Sequence, residues 1–200
     1  MKILVFDTET TGLPSSKLSL DKQPSIVQFA GVVYQLNDLG NMDVVKQVDI
    51  LINPKKDIPV VTTLIHKITN EMVKDKPDFV KVSVEIKQLF LEIDLVVAHN
   101  IAFDKKLLEI EFARLGQKVD FWPTDIYDTM LEFVNLCRLP SKNRGFKSPR
   151  LSELHQYLFG KDFENAHNAL DDVLATGRCL QQLINIGHAE FKPSKQSSLF

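Results

Sequence analysis

The sequence predicts an α/β fold in which a mixed central sheet is flanked by helices. Two observations predict it: three apolar, β-branched runs come first in the chain, and helical and strand-like segments alternate after them. The chain has 200 residues, of which 44% are hydrophobic and 25% charged. Since these fractions are typical of soluble globular proteins, we expect a domain with a buried core.

The first predicted strand is Lys2 to Phe6, an apolar run that leads into a turn sequence. Strands are also predicted at 25–36 and 44–52, and residues 37–41 between them have the composition of a hairpin loop. Helices are predicted where apolar residues recur at helical spacing, three of them closed by a glycine. The remaining predicted elements are a strand at 95–98 and helices at 79–93, 103–115, 127–136, 151–159 and 168–186.

Composition also indicates how many domains the chain has and which classes of partner it can bind. We expect one domain over residues 1–188 and a flexible tail over 189–200, because Lys, Pro and Ser dominate after Gly187. The net charge of -2 predicts no general attraction for nucleic acid, so any such binding must use local patches or bound metal. Two cysteines are too few for a disulfide framework, and the apolar start is too short for a signal peptide or membrane span. A cytoplasmic location is therefore expected.

Two acids, Asp7 and Glu9, follow the first predicted strand directly. On an extended chain, residues two apart point to the same side, so both carboxylates should project from one place. Carboxylates held that close repel each other unless a proton or a cation lies between them. The alternative is that the two acids cap the turn or face solvent.

Two further acids lie near predicted helix starts. Asp104 falls in the first turn of the helix after the strand at 95–98, where the helix dipole alone also favours an acid. At 100° per residue, Asp172 flanks the apolar face of the last helix, whereas Asp171 lies on its polar side. An acid at the edge of a core is costly without compensation, so Asp172 is expected to have a partner cation.

Together these positions give four carboxylates and one histidine, His167, just before the last helix. Oxygen ligands suit Mg²⁺ or Mn²⁺ rather than zinc. Two such ions about 3.5–4 Å apart activate a water and stabilise the leaving oxygen in phosphoryl transfer. A histidine titrates near neutrality and is suited to take the proton of that water.

Three ordered motifs resemble those of the DEDDh family of 3′-to-5′ exonucleases, which includes the DnaQ-like proofreading (epsilon) subunits of bacterial DNA polymerase III. The motifs are Phe-Asp7-Thr-Glu9-Thr-Thr-Gly-Leu, His-Asn-x-x-Phe-Asp104 and His167-x-x-x-x-Asp172. The resemblance covers about residues 2–187 and implies a ribonuclease H-like fold and metal-dependent release of nucleoside monophosphates. It implies that Asp7, Glu9, Asp104 and Asp172 hold two Mg²⁺ or Mn²⁺ ions and that His167 is the general base.

The resemblance also implies a set of residues that contact the 3′-terminal nucleotides. They are Thr8, Thr10, Thr11, Gly12, Leu13, His66, Asn100 and Phe103. Residues 65–69 resemble the Ile-His-Gly-Ile-Thr segment of the family, with Lys67 in place of the glycine. For His66 the alternative is an ordinary surface residue, and for Phe103 it is a place in the core.

The favoured substrate is a single-stranded 3′ end of DNA, for proofreading or repair trimming. Thr-Glu-Thr-Thr-Gly resembles the proofreading branch more than the Leu-Glu-Met-Thr-Gly of oligoribonucleases. The alternatives are an RNA-trimming member of the family and a catalytically silent adaptor of a polymerase or clamp; the full set of acids argues against the adaptor. Residues 138–150 contain five basic residues and no acid, and either follow a nucleic-acid backbone or form a solvated loop.

Residues 196–200 resemble the Gln-x-x-Leu-Phe pentapeptide by which many bacterial replication proteins bind the sliding clamp. Leu199 and Phe200 are an apolar pair on a polar tail and have no obvious core to join. Such a pair is suited to an apolar groove, with Gln196 supplying a directional hydrogen bond. A sliding clamp and a separate DNA polymerase are therefore expected partners.

Overall fold

The computed structural model describes residues 1–123, 125–142, 144–163 and 166–191. Within this part of the chain, one mixed sheet has the strand order β3-β2-β1-β4-β5. β2 pairs antiparallel with β1 and β3, whereas β1, β4 and β5 are parallel. The strands are β1 (Lys2–Thr10), β2 (Ile26–Leu36), β3 (Met42–Leu51), β4 (Leu95–Ala98) and β5 (Asp125–Asp128). The predicted α/β class with a mixed sheet is confirmed.

Helices cover both faces of this sheet. They are α1 (Val60–His66), α2 (Asn70–Val73), α3 (Phe79–Phe90), α4 (Ile101–Arg114), α5 (Thr129–Glu132), α6 (Val134–Cys137), α7 (Leu151–Phe159) and α8 (Ala169–Asn185), with a 3₁₀ turn at Leu20–Lys22. Among the described residues, no helix has the length and apolar character needed to cross a membrane.

Strand β1 is buried on both faces, which explains its continuous apolar sequence. Ile3 and Val5 pack into the cluster that includes α8, and Leu4 and Phe6 pack into the cluster that includes α3 and α4. Because side chains alternate along a strand, this register directs residues 7 and 9 to the α8 side and residue 8 to the α4 side.

The parallel strands bring three chain segments to one edge of the sheet. The carboxyl ends of β1, β4 and β5 lie side by side there, and α4 begins directly after β4. The start of α8 is fixed at the same edge: Asn168 caps it by accepting hydrogen bonds from two backbone N–H groups, and Gln28 of β2 accepts one from Ala169 at 3.2 Å. Residues at these ends are therefore held by several elements at once.

The structure corrects two sequence-based boundaries and adds two helices that were not predicted. β1 extends beyond Phe6 to Thr10, because β2 pairs with it as far as Ile26, so Asp7 and Glu9 lie within a strand rather than after it. The helix predicted at 127–136 is wrong at its start: Tyr127 and the residue after it pair with β4, and two short helices follow. Helices α1 and α2 were not predicted, because most apolar side chains of α1 face outward and give no inward stripe.

The predicted tail is described only as far as residue 191. Its first residues pack on the domain, with Ala189 buried and the Phe191 ring edge-on to Tyr127 at 5.1 Å between centroids. Gln196, Leu199 and Phe200 lie outside the described residues.

Candidate active site

A cleft of about 620 Å³ lies where β1 and β4 end and α8 begins. Four predicted site residues line it: Asp7, Asn100, His167 and Asp172. A slightly larger depression of about 700 Å³, between Lys56 and Arg114, contains none of the predicted site residues. The chemistry of the side chains, rather than cavity size, therefore identifies the candidate site.

Three predicted acids meet at this cleft. Asp7, Glu9 and Asp172 each have a carboxylate oxygen within 4.8 Å of one in each of the other two. The alternation of β1 explains the meeting, since its odd-numbered residues face α8, which carries Asp172 in its first turn. The alternative, in which Asp7 and Glu9 only cap a turn or face solvent, is wrong, because both are partly buried and lie next to Asp172.

Asp104 approaches from the other side of β1. It is buried in the first turn of α4, and one oxygen of its carboxylate accepts hydrogen bonds from Thr8, at 3.0 Å from the backbone N–H and 2.7 Å from the hydroxyl. Asp104 is not part of the group of three acids within 4.8 Å, but its charge raises the pKa of both Asp7 and Glu9. Thr8 thus anchors Asp104 beside the acid cluster.

Burial and mutual repulsion make these carboxyl groups hard to ionise. Burial, followed by repulsion from the other three acids, raises the pKa of Asp7 well above its ordinary value, and burial with repulsion raises that of Glu9 to about 8. Burial likewise raises the pKa of Asp104 and of Asp172 to about 7. A cluster of oxygen donors that favours an added positive charge fits a hard divalent cation.

His167 lies in the turn before α8 and is exposed at the cleft. Its backbone is left-handed, with φ of 72°, and its N–H donates to both oxygens of Asp172 at 3.3 and 3.4 Å. The histidine and the acid of the third predicted motif are therefore linked directly, because the backbone N–H of His167 holds the Asp172 carboxylate. The imidazole is left accessible from the cleft.

The loop after β1 is shaped by its own threonines. The Thr10 hydroxyl donates to the carbonyl of Gly12 at 2.7 Å, and Thr11 exchanges hydrogen bonds with Ser25, so both threonines are buried. The side chain of Leu13 is 78% exposed. Of the predicted nucleotide contacts in this loop, Leu13 is the one that protrudes.

His66 is not the surface residue that one alternative assumed. It is 4% exposed, its Nδ1 accepts the Ile68 N–H at 3.0 Å, and its buried Nε2 has no partner among the described residues. Burial lowers the pKa of the imidazole. The next residue, Lys67, takes up the left-handed conformation that a glycine would adopt easily, with φ of 62°, and caps α1.

Asn100 and Phe103 occupy different environments. Asn100 lines the cleft and has a left-handed backbone with φ of 80°. Phe103 is partly buried and packs against the main core, as its structural alternative held.

Sequence reasoning missed Asp128, which is buried at the end of β5. Its carboxylate accepts hydrogen bonds from the N–H groups of Asn100 and Ile101 at 3.0 and 3.1 Å and of Met130 at 2.9 Å. It therefore fixes the start of α4, the helix that carries Asp104. The available signal was an acid directly after the pair Ile126-Tyr127, which is typical of a strand end. The prediction of a helix at 127–136 concealed this signal.

Fold and site together define an α/β protein whose cluster of carboxylates is suited to divalent cations. A family model described as exonuclease, RNase_T, matches residues 4–180. The chain belongs to this exonuclease family. The resemblance to DnaQ-like proofreading exonucleases is confirmed.

Several relatives are named as components of DNA polymerase III. A DNA polymerase III subunit epsilon-like protein of Rhodobacter capsulatus is 34% identical over 92% of this chain, which spans 24% of that protein. A PolC-type DNA polymerase III of Clostridium perfringens is 28% identical over 89% of this chain, which spans 11% of it. The epsilon subunit of Rickettsia prowazekii is 29% identical over 68% of this chain and 56% of its own length.

Solved exonucleases share the fold. E. coli exonuclease I in complex with a dT13 oligonucleotide matches 91% of this chain and 40% of its own, with a TM-score of 0.70 and 21% identity. Exonuclease X in complex with 5′ overhanging duplex DNA matches 96% of this chain and 95% of its own, with a TM-score of 0.60 and 23% identity. The expected ribonuclease H-like exonuclease fold is confirmed.

Proposed function

We propose that this chain is a metal-dependent 3′-to-5′ exonuclease of the DEDDh type that releases nucleoside monophosphates from DNA 3′ ends. The observation that carries the proposal is the cluster of Asp7, Glu9 and Asp172, with Asp104 beside it, in a chain of an exonuclease family. An exonuclease of this kind would serve proofreading or repair trimming.

The four carboxylates would hold two Mg²⁺ or Mn²⁺ ions, which when bound supply activation of a water and charge stabilisation of the leaving oxygen. His167 would accept the proton of the attacking water, because its imidazole is exposed at the cleft beside Asp172. Thr8 would hold Asp104 in place through its hydroxyl and backbone N–H. Asn100, which lines the cleft, and Leu13, which is exposed in the loop after β1, would contact the 3′-terminal nucleotides.

DNA is the substrate that the relatives favour. Those at up to 34% identity are named as DNA polymerase III components, and two exonucleases of similar fold were solved with DNA. RNA is the second candidate, because a 3′-exonuclease that recognises a histone mRNA stem-loop shares the fold with a TM-score of 0.69.

Matched DNA and RNA oligonucleotides test the proposal. With Mg²⁺ or Mn²⁺, a 3′-labelled DNA strand should release labelled mononucleotide at once, and a 5′-labelled strand should shorten as a ladder. EDTA and the Asp7→Asn variant should both stop the reaction. If neither polymer releases mononucleotides with either metal, the proposal is overturned; faster release from RNA would make the RNA-trimming alternative the better one.

We also propose that residues 196–200 bind a sliding clamp. The proposal is supported by the Gln-x-x-Leu-Phe sequence itself and by the relatives named as polymerase III components. Tethering would raise the local concentration of the catalytic domain at a primer end without a new catalytic contact. Titrating purified clamp with the intact chain and with the Leu199→Ala/Phe200→Ala variant tests it. Binding that the double substitution abolishes supports the proposal, whereas no binding, or equal binding, overturns it.

A further inference from the structure

Asp7 and Asp172 line the candidate cleft, yet the substrate under the proposed function is a polyanion. Besides bound metal, a lysine or arginine that lines the cleft would strengthen the binding of such a strand. Of the described residues that line the cleft, Arg150 is the only lysine or arginine. It is exposed, and it belongs to the basic segment 138–150 whose role the sequence left open.

The backbone on the amino-terminal side of Arg150 is pinned to the sheet. The Pro149 carbonyl lies 3.0 Å from Nε2 of His99, and Nδ1 of His99 lies 2.9 Å from the hydroxyl of the buried Thr129. A carbonyl can only accept, so Nε2 must carry a proton; in the neutral ring Nδ1 then accepts from the threonine. His99 follows β4 and Thr129 follows β5, so this link ties Arg150 to the ends of two strands.

The other side of Arg150 is the start of α7. Its N–H donates to the Glu153 carboxylate at 2.8 Å, which caps the helix. That carboxylate is already paired with Lys147. The guanidinium of Arg150 forms no ion pair within 4.0 Å in the described part of the chain. The charge of Arg150 helps to lower the pKa of Glu153, but its guanidinium stays exposed on a fixed backbone, in the same cleft as Asp7 and Asp172.

We propose that Arg150 is a phosphate-binding residue that contacts a phosphodiester of the substrate strand in the cleft. The inference rests on the proposed function. A guanidinium presents two parallel N–H donors to the oxygens of a phosphate, so its charge and its geometry both contribute to binding. Lysine at the same position keeps the charge and loses the paired geometry.

Binding of a single-stranded DNA oligonucleotide tests the inference without a measurement of turnover. Ca²⁺, a larger ion with less strict coordination, replaces Mg²⁺ to slow hydrolysis, and a gel checks that the strand stays intact. The variants are Arg150→Gln and Arg150→Lys, with Arg178→Gln as the matched control, because Arg178 is exposed on α8 and does not line the cleft. The dissociation constant is measured over a range of salt concentrations.

Each phosphate contact on a single strand contributes about 0.7 to the slope of log affinity against log salt. Arg150→Gln should weaken binding about tenfold and lower the slope by about 0.7. Arg150→Lys should keep the slope with weaker binding, and Arg178→Gln should leave both unchanged. An unchanged slope and affinity in Arg150→Gln overturn the inference.

Neutral methylphosphonate linkages then identify the contact. Placed one at a time near the 3′ end, one linkage should weaken binding of the unaltered protein and have no further effect on Arg150→Gln, as expected for two groups that interact directly. If every linkage acts equally on both proteins, Arg150 touches no phosphate. If the unaltered protein releases mononucleotides but both binding tests fail, only the role of Arg150 is overturned. If the unaltered protein degrades no oligonucleotide, the proposed function is overturned together with the inference that rests on it.

Discussion

Asp171 and Asp172 are neighbours in sequence with different surroundings. Asp172 lies in the acid cluster, where burial raises its pKa to about 7, whereas Asp171 is outside the cluster. We predict that Asp172→Asn nearly abolishes mononucleotide release and weakens Mn²⁺ binding, because the proposed metal site loses a carboxylate. Asp171→Asn should change both by less than about twofold, as for an ordinary surface substitution. Release assays and Mn²⁺ calorimetry check this, and a larger loss at residue 171 would contradict the assignment.

His167 is predicted to matter for turnover rather than for metal binding. His167→Asn should lower kcat by about 10²–10⁴-fold, the range for loss of a general base, and leave Mn²⁺ affinity nearly unchanged. Asparagine suits the experiment because it tolerates the left-handed backbone of this residue, so the N–H bonds to Asp172 should persist. Wild-type turnover in this variant would place the base elsewhere.

For single residues, the sequence predicted the placement of those whose neighbours follow from the local geometry of a strand or helix. The period of a strand brought Asp7 and Glu9 together, and the helical wheel separated Asp172 from Asp171. It did not predict that Thr8 bonds Asp104, which lies 96 residues away in the chain, or that His66 is buried. Those facts depend on how α4 packs against β1 and on how the end of α1 approaches the Thr10 backbone, and no local pattern encodes either contact.

The close approach of α8 to β2 depends on a glycine. A Cβ on Gly177 would lie 2.9 Å from Cζ of Tyr34 and closer still to its hydroxyl. Gly177→Ala should therefore lower the free energy of unfolding by about 1–3 kcal/mol, despite the better helix propensity of alanine. Urea unfolding measures the change. Adding Tyr34→Phe, which removes the nearest atom, should restore part of the loss relative to Tyr34→Phe alone; purely additive effects would exclude this clash.

A non-glycine residue closes α1 in a conformation that costs L-residues about 1–2 kcal/mol. Lys67→Gly should relieve that cost, offset in part by the greater freedom of glycine in the unfolded chain, and stabilise the protein by about 0.5 kcal/mol. Lys67→Ala keeps the Cβ and should give no gain in the same urea titration. Equal effects of the two substitutions would show that backbone conformation is not the cause.

Helices and strands were predicted correctly where one face or both faces of the element are buried. The predictions failed where tertiary contacts determine the secondary structure. The apolar face of α8 and the buried run of β1 are visible as patterns. Strand β5 has four residues, and its pairing with β4 overrode the helical spacing of the residues that follow. Helix α1 turns Val60, Val61 and Leu64 outward, so its pattern did not indicate a buried face.

At the scale of the whole molecule, the sheet concentrates acids at one edge, and their proton uptake is linked to folding. The pKa of Glu9 is about 8 and those of Asp104 and Asp172 are about 7, whereas unfolded carboxyl groups titrate near 4. Between these values the folded state binds more protons than the unfolded one, so stability decreases as pH rises. We predict that the metal-free protein loses thermal stability as pH rises through 7 to 8.

The measurement is Tm in EDTA from pH 6.5 to 8.5. Burial lowers the pKa values of His66 and His99, so these histidines destabilise the protein only when the pH falls below the ordinary histidine range. The measured window lies above that range. Mn²⁺ should raise Tm most at the alkaline end, because a metal binds the deprotonated carboxylates and only the folded state assembles them. Asp172→Asn should flatten the decline in EDTA and reduce the gain from Mn²⁺, whereas Asp171→Asn should preserve both. A Tm that rises with pH in EDTA would mean that the acids are already compensated within the protein, and the case for a cation site at this edge would fail.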